Sequence, residues 1–252
     1  MNMLCRFLVP ALLFVASAVP ALAQPAPSYA VLSLAGDRIT VVAPELETGT
    51  RLDPDVRDVV KMPDDGLDII AVEVAEQALK KVRPGAEVEL YVTRDSKIFS
   101  ALNKDDMAPA DVPALLATLQ KVLAQSKASH LLLISKHRAN VQFKFADYSV
   151  QVNRLYGAGF YVDESRRLYS VDNRHVKRGY VGPYASLKIL LVDLGQRTVV
   201  QEVLAHATEI HSTPDGAPTA WAGMSGQDKF NAVRRVLERA VADGITRAVR
   251  QP

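Results

Sequence analysis

Few residues in this chain have the type and spacing that chemistry demands. A serine nucleophile on a strained turn reads Gly-x-Ser-x-Gly. The nearest approach, Gly223-Met-Ser225-Gly226, lacks that spacing, and Ser225 with Asp228 reads instead as a capping box that opens a helix. The five histidines are His130, His137, His175, His206 and His211, with no His-x-x-x-His or His-Glu-x-x-His pattern among them. His206 and His211 lie five apart on an expected strand and so face opposite ways. No metal site is expected, because a metal needs several such ligands to converge.

Paired carboxylates for glycoside hydrolysis require two acids across a cleft. Asp163, Asp193 and Glu202 are available, but Asp193 is better placed as a turn residue. Neither Gly-x-Gly-x-x-Gly nor Gly-x-x-x-x-Gly-Lys occurs, so no nucleotide or other cofactor is expected. Seven acids between Pro44 and Gly66 lack the alternating ligand order of a calcium loop and read as a solvated connection.

One stretch does suggest binding. Residues 153–185 combine tyrosines with basic side chains, the types most over-used at contact surfaces. The candidate contact residues are Arg154, Tyr161, Arg166, Arg167, Tyr169, Arg174, Lys177, Arg178 and Tyr180. Two readings stand. The segment is an irregular insert that binds an envelope protein or an anionic envelope polymer, or its tyrosines pack under a long loop while its arginines are solvated.

The elements that must position these residues follow from periodicity. Tyr29–Val42 reads as a hairpin around Gly36-Asp37, and Leu67–Lys81 as a helix with Ile70, Val74 and Ala78 on its stripe, broadened by Ala71 and Ala75. Asp64, Asp65 and Asp68 suit that helix's N-terminus electrostatically. Glu87–Thr93 alternates as a half-buried strand, and a second helix starts near Asp111 and carries apolar residues on to Leu123. Strands follow at His130–Ser135 and Asn140–Phe145, then short ones at Ser149–Val152 and Gly159–Val162 with a long loop behind them. Ser186–His211 is the strongest hairpin in the chain. Its first strand is apolar on both faces, so both must be covered, and Asp193–Arg197 makes the turn. A long helix from Ser225 to about Arg250 buries Phe230, Val233, Leu237, Ala240, Val241 and Ile245. The fold class expected is α/β (α+β), a mixed sheet of about five to eight strands with two or three long helices packed on it.

The N-terminus supplies an address. A basic residue at Arg6, an apolar run from Phe7 to Val19 and small residues at Ala21-Leu-Ala23 predict a signal peptide over residues 1–23, cleaved between Ala23 and Gln24. Pro10 and Pro20 interrupt the apolar run, which argues against a spanning helix, and no later stretch is long and apolar enough to be one. Residues 24–252 then form one domain without cysteine, since Cys5 is the only one and precedes the apolar run. A formal charge of +2 argues against nucleic acid as partner.

Val122–Ile134 and Leu187–Gly195, continuing to Val199-Val-Gln-Glu, resemble passages of the envelope α/β domain shared by curli-secretion CsgG, the LpoB-type lipoproteins and the N-terminal domain of TolB. That resemblance implies an architecture that acts by binding other envelope components and carries no catalytic residues. The expected function is therefore that of a non-enzymatic periplasmic accessory or adaptor protein. The alternative is a hydrolase of an envelope polymer, peptidoglycan or glycan, with a dispersed site. The sequence favours no oligomeric state.

Overall fold

Ser28–Leu34 (β1) is apolar on both of its faces, which decides its place in the computed structural model. Tyr29 and Val31 enter one core and Ala30, Leu32 and Leu34 another, so β1 needs strands on both edges and helices on both sides. The structure describes residues 27–44, 55–61, 66–102, 112–169 and 176–250. After β1 come β2 (Arg38–Pro44), β3 (Asp55–Lys61), α1 (Gly66–Val82), β4 (Glu87–Val92), α2 (Ser96–Leu102) and α3 (Val112–Leu119). Then follow β5 (His130–Lys136), β6 (Arg138–Lys144), β7 (Ser149–Tyr169), β8 (Val176–Asp193), β9 (Thr198–Thr208), β10 (His211–Ser212) and α4 (Gly226–Arg250). The expected signal peptide and its cleavage site lie outside the described residues.

The class is mixed α/β, as expected. Seven strands form the path β3-β2-β7-β8-β5-β1-β4, with β6, β9 and β10 pairing off it. β1 runs parallel to both β4 and β5. α1 covers one face of this parallel part, while α2 and α3 cover the other. The expected hairpin of β1 with β2 is not formed. β2 turns away instead and pairs with β3 and β7.

The hairpin at Ser186–His211 is formed as its pattern requires. Leu187, Ile189 and Leu191 pack under α1 and α4, while Leu190 and Val192 pack in the core of α2 and α3. Asp193 Oδ1 accepts the Gln196 N–H at 2.8 Å, which closes the turn. The residue in the left-handed region there is Arg197 (φ 56), not Gly195. The capping box also forms: Ser225 Oγ accepts the Asp228 N–H at 3.1 Å, and Asp228 Oδ2 accepts the Ser225 N–H at 3.2 Å. Behind it, α4 buries the expected stripe apart from Phe230, which is partly buried. Its exposed pairs Arg234–Glu238 and Arg247–Asp243 meet at 2.7 and 2.8 Å.

Four expectations are corrected. Residues 153–185 are not an irregular insert, because β7 and β8 run long through both ends of them. Their period of two is hidden because β7 changes partners, pairing β6 up to Tyr156 and then β8 and β2 from Gly157. Arg154 (φ 60) and Gly157 (φ 65) make that bend, and a bulge follows between Asp163 and Arg167. On α1, Ala71, Ala75 and Ala78 are buried as expected, but the most buried line runs through Leu67, Ala71, Ala75 and Leu79, while Ile70 and Val74 lie at its margin against the same core. α3 stops at Leu119, whose carbonyl accepts from both Val122 and Leu123 N–H groups; those two side chains still pack on the core. On β4, Leu90 and Val92 are exposed rather than half-buried, because β4 ends the strand path.

Candidate functional site

Three parallel strands ending side by side create the site. The chain leaves β1 for β4 with α1 on one face, then recrosses β1 to reach β5 with α3 on the other. Open α/β sheets form a crevice beyond the carboxyl ends of their strands at such a reversal. Here the crevice has a volume of about 660 Å³ and is lined from the ends of β1, β4 and β5 and from β2, β3, β7, α1 and α2.

Its floor is built around Asp68. This carboxylate lies in the first turn of α1 and is 2% exposed. Ser33 Oγ donates to Asp68 Oδ1 at 2.6 Å, and the Gly36 N–H donates to the same oxygen at 3.0 Å. Gly36 has φ 78, so the chain can turn its amide down onto the acid. Burial pushes the Asp68 carboxyl up from 3.8 to about 6, against the opposing effects of Ser33, the Gly36 and Ala35 amides and Lys136. Lys136, at the end of β5, sends its amine across to the Arg38 carbonyl at 3.2 Å. Burial lowers its pKa, while Asp68 and Asp37 raise it. Its stem runs over Gly157, where a Cβ would lie 2.8 Å from Lys136 Cδ.

The walls are polar and mostly cationic. Arg38, Lys61, Arg94 and Lys136 line the cleft against two carboxylates, Asp37 and Asp68. Asp37 meets Arg38 at 3.7 Å and Lys61 at 3.8 Å, at exposed positions where screening leaves such pairs weak. Thr93, Ser96, Ser100 and Tyr156 bring hydroxyls, and Phe99 an apolar face. The Tyr156 ring is held beneath the Arg138 guanidinium, 5.4 Å from the ring centre. Such a cleft can donate charge-assisted hydrogen bonds to an anion with polar substituents.

The residues first singled out for binding lie elsewhere. Tyr161 and Tyr180 are buried, which corrects their expected place on a contact surface. They pack with Phe143, Tyr184 and Leu155 in a third core where the β6–β7 hairpin folds over the sheet. Phe143 lies 5.9 Å from Tyr161 and 6.3 Å from Tyr180 between ring centres. Arg166 is held by Asp163 at 3.2 Å. Arg154 is exposed; its N–H donates to Asn140 Oδ1 and its carbonyl accepts from Arg57. Arg167 and Tyr169 on β7 face Arg178 and Val176 on β8, and Lys177 faces Leu168. Arg174 lies outside the described residues. Of those whose side chains are described, Arg154, Tyr161, Arg166 and Tyr180, none lines the cleft.

Asp68, Lys136 and the Gly36-Asp37-Arg38 turn were missed because each made local sense as a helix acid, a strand end and a hairpin turn. The available signal was a charged residue at or just past the carboxyl end of each of three strands: Asp37, Arg94 and Lys136. The histidines hold no metal cluster among the described residues. His206 Nδ1 lies 3.1 Å from Ser186 Oγ, and His211 lies 3.4 Å from Glu209.

No protein-family model matches the chain, and no curated protein matches it in sequence. Solved structures match it at low identity. A protein described as a neuraminyllactose-binding hemagglutinin homolog from Helicobacter pylori is 9% identical, over 90% of this chain and 84% of that one, with a TM-score of 0.40. A Xanthomonas campestris protein of family model DUF330 is 12% identical over 90% and 84%, with a TM-score of 0.38. PelC from Paraburkholderia phytofirmans, a dodecamer, is 13% identical over 88% of each chain, with a TM-score of 0.33. None of these is a CsgG, LpoB-type or TolB protein, and no property of theirs is transferred at this similarity.

Proposed function

We propose that the chain is a non-enzymatic accessory or adaptor protein of the bacterial cell envelope, acting in the periplasm, and that it binds an anionic envelope component in the cleft. The observation that carries this reading is the convergence there of Arg38, Lys61, Arg94 and Lys136 from separate elements. Support for the address comes from the signal-like N-terminus and the resemblance to the CsgG-type envelope domain. No helix among the described residues is long and apolar enough to cross a membrane. Binding is favoured over turnover because Asp68, the perturbed acid of the site, is buried and committed to Ser33 and Gly36 rather than presented to a ligand.

The test is co-sedimentation of the exported chain with envelope fractions, comparing wild type with the doubly charge-reversed variant Arg38→Glu/Arg94→Glu. Retention is expected to fall by at least roughly tenfold and to weaken with salt, since exposed charges are screened. Unchanged retention would rule out the cleft. Turnover of peptidoglycan by wild type that is lost in Asp68→Asn would favour the hydrolase alternative instead.

A further inference from the structure

The face of β2 turned away from the cleft has a different chemistry. Ile39, Val41 and Ala43 alternate along the strand and share one side of it. Phe160 of β7 continues that surface, in register with Val41. α4 packs on β8 and β9 and reaches β7, while β2 and β3 extend past it. Among the described residues, that end of the sheet is walled by single side chains. Trp221 stands edge-on to Phe160 at 5.2 Å, and Phe230 of α4 lies beside it. Two cavities of about 500 and 470 Å³ share Val41 and Trp221, giving one continuous groove.

The two ends of this groove are not alike. One end carries Lys229, while Lys61 of β3 stands at the rim, in register with Arg38 and close to Asp37. Lys229 Nζ rests 3.9 Å from the centre of the Trp221 ring, and Lys61 is 75% exposed with Asp37 3.8 Å away. The other end carries Glu164 and Ser165. An occupant that fits must be apolar along its length and negative at one end only. From Ile39 to Ala43 the floor runs about 13 Å, taking roughly 3.3 Å per strand residue, enough for a chain of roughly ten carbons.

We infer that this groove binds a free long-chain carboxylate, its acyl chain lying along β2 against Trp221 and its carboxylate beside Lys229. The lining supports an acyl chain over a peptide, because Val41 and Trp221, over the buried Ile39 and Phe160, present an apolar face, and β2 is paired with β3 and β7 on its two edges and has no free edge for a second main chain. The cationic end selects the sign of the head group. This site stands independently of the cleft, although Lys61 borders both.

Trp221 is the only tryptophan in the sequence, so its emission reports on the groove alone. The experiment titrates the purified chain with dodecanoate below its micellar concentration. A saturable shift of Trp221 emission is expected, weakened roughly threefold to tenfold in Lys229→Gln, as for loss of one surface charge near an anion, and abolished in Val41→Glu. Lys229→Gln keeps the wall and the strand intact, so its result stands if Val41→Glu does not fold. Arg94→Glu, which reverses a cleft charge away from β2 and β3, should leave the dodecanoate response in place. Four outcomes would overturn the inference. These are no saturable shift, an equal response to dodecyltrimethylammonium, a response only to phospholipid vesicles, or a shift that follows protein concentration without ligand. The last would mean that a second copy covers the groove.

Discussion

Gly159→Ala is expected to destabilise the protein by about 3 kcal/mol or more, at the upper end of what overpacking a well-filled interior costs. Gly159 lies in β7 opposite Thr40 of β2, where the two strands run parallel. A Cβ at Gly159 would overlap the Thr40 carbonyl oxygen, with the Thr40 carbonyl carbon and amide nitrogen each 2.9 Å away. Those are main-chain atoms of a paired strand and cannot swing aside as the end of a side chain can. Relief requires β2 to shift, and β2 holds β3 on its other edge. Urea denaturation measures the loss directly, and about 3 kcal/mol is a large share of the roughly 5–15 kcal/mol that usually separates folded from unfolded states. Gly226→Ala is the matched control. An added Cβ there meets nothing within 4 Å, so that variant should be as stable as wild type or slightly more so. Equal stability of the two alanine variants would contradict the close approach of β2 to β7.

The second large effect concerns Asp68 and pH. Its carboxyl is raised from 3.8 to about 6, so between these values the folded protein keeps a proton that the unfolded chain releases. Stability contributed by the neutral acid is therefore fully present below 3.8 and is lost as pH rises through about 6. Its full size is about 3 kcal/mol, taking about 1.4 kcal/mol for each tenfold change in proton affinity. Asp68→Asn keeps an oxygen to accept from Ser33 and Gly36 but removes the titration. The difference in unfolding free energy between variant and wild type should move in favour of the variant from about pH 4 to about pH 7, by on the order of 2 kcal/mol. Lys136, left with one counter-charge fewer, takes back part of the full amount. Taking the difference cancels the other carboxylates. Asp68→Ala also removes the acceptor and should be less stable than Asp68→Asn by about 1–3 kcal/mol. A difference that stays flat across that range would contradict the buried, hydrogen-bonded state of Asp68.

Both results depend on contacts that pattern reading reaches unevenly. The hairpin from Ser186 to His211 was legible because a strand apolar on both faces can only lie deep in a sheet. Leu187, Ile189 and Leu191 fill the core under α1 and α4, while Leu190 and Val192 fill that of α2 and α3. The capping box and the buried stripe of α4 were legible for a similar reason, since both are set by neighbours within one helix.

β1 shows where that kind of reading stops. Its pattern showed that it had to be covered on both sides, but Gly36-Asp37 looked like a hairpin turn and is in fact the exit to a distant strand. The tyrosines of β7 and β8 were seen as a group and placed on the wrong side of the surface. What buries Tyr161 and Tyr180 is the β6–β7 hairpin folding back over them, a contact between segments that no local period encodes. The cleft is the extreme case. Its cations come from β2, β3, β5 and the segment after β4, and each looks ordinary in its own element.

The most direct test of the central claim is amide chemical-shift mapping of the isotopically labelled chain, titrated separately with inorganic phosphate and with glucuronate. Binding in the cleft predicts saturable shifts confined to Gly36, Asp37, Thr93, Arg94 and Lys136 and their neighbours, absent in Arg38→Glu/Arg94→Glu. The stronger of the two anions would tell a phosphate-bearing component from a carboxylate-bearing one. Shifts that fail to saturate, or that cluster away from the carboxyl ends of β1, β4 and β5, would contradict it.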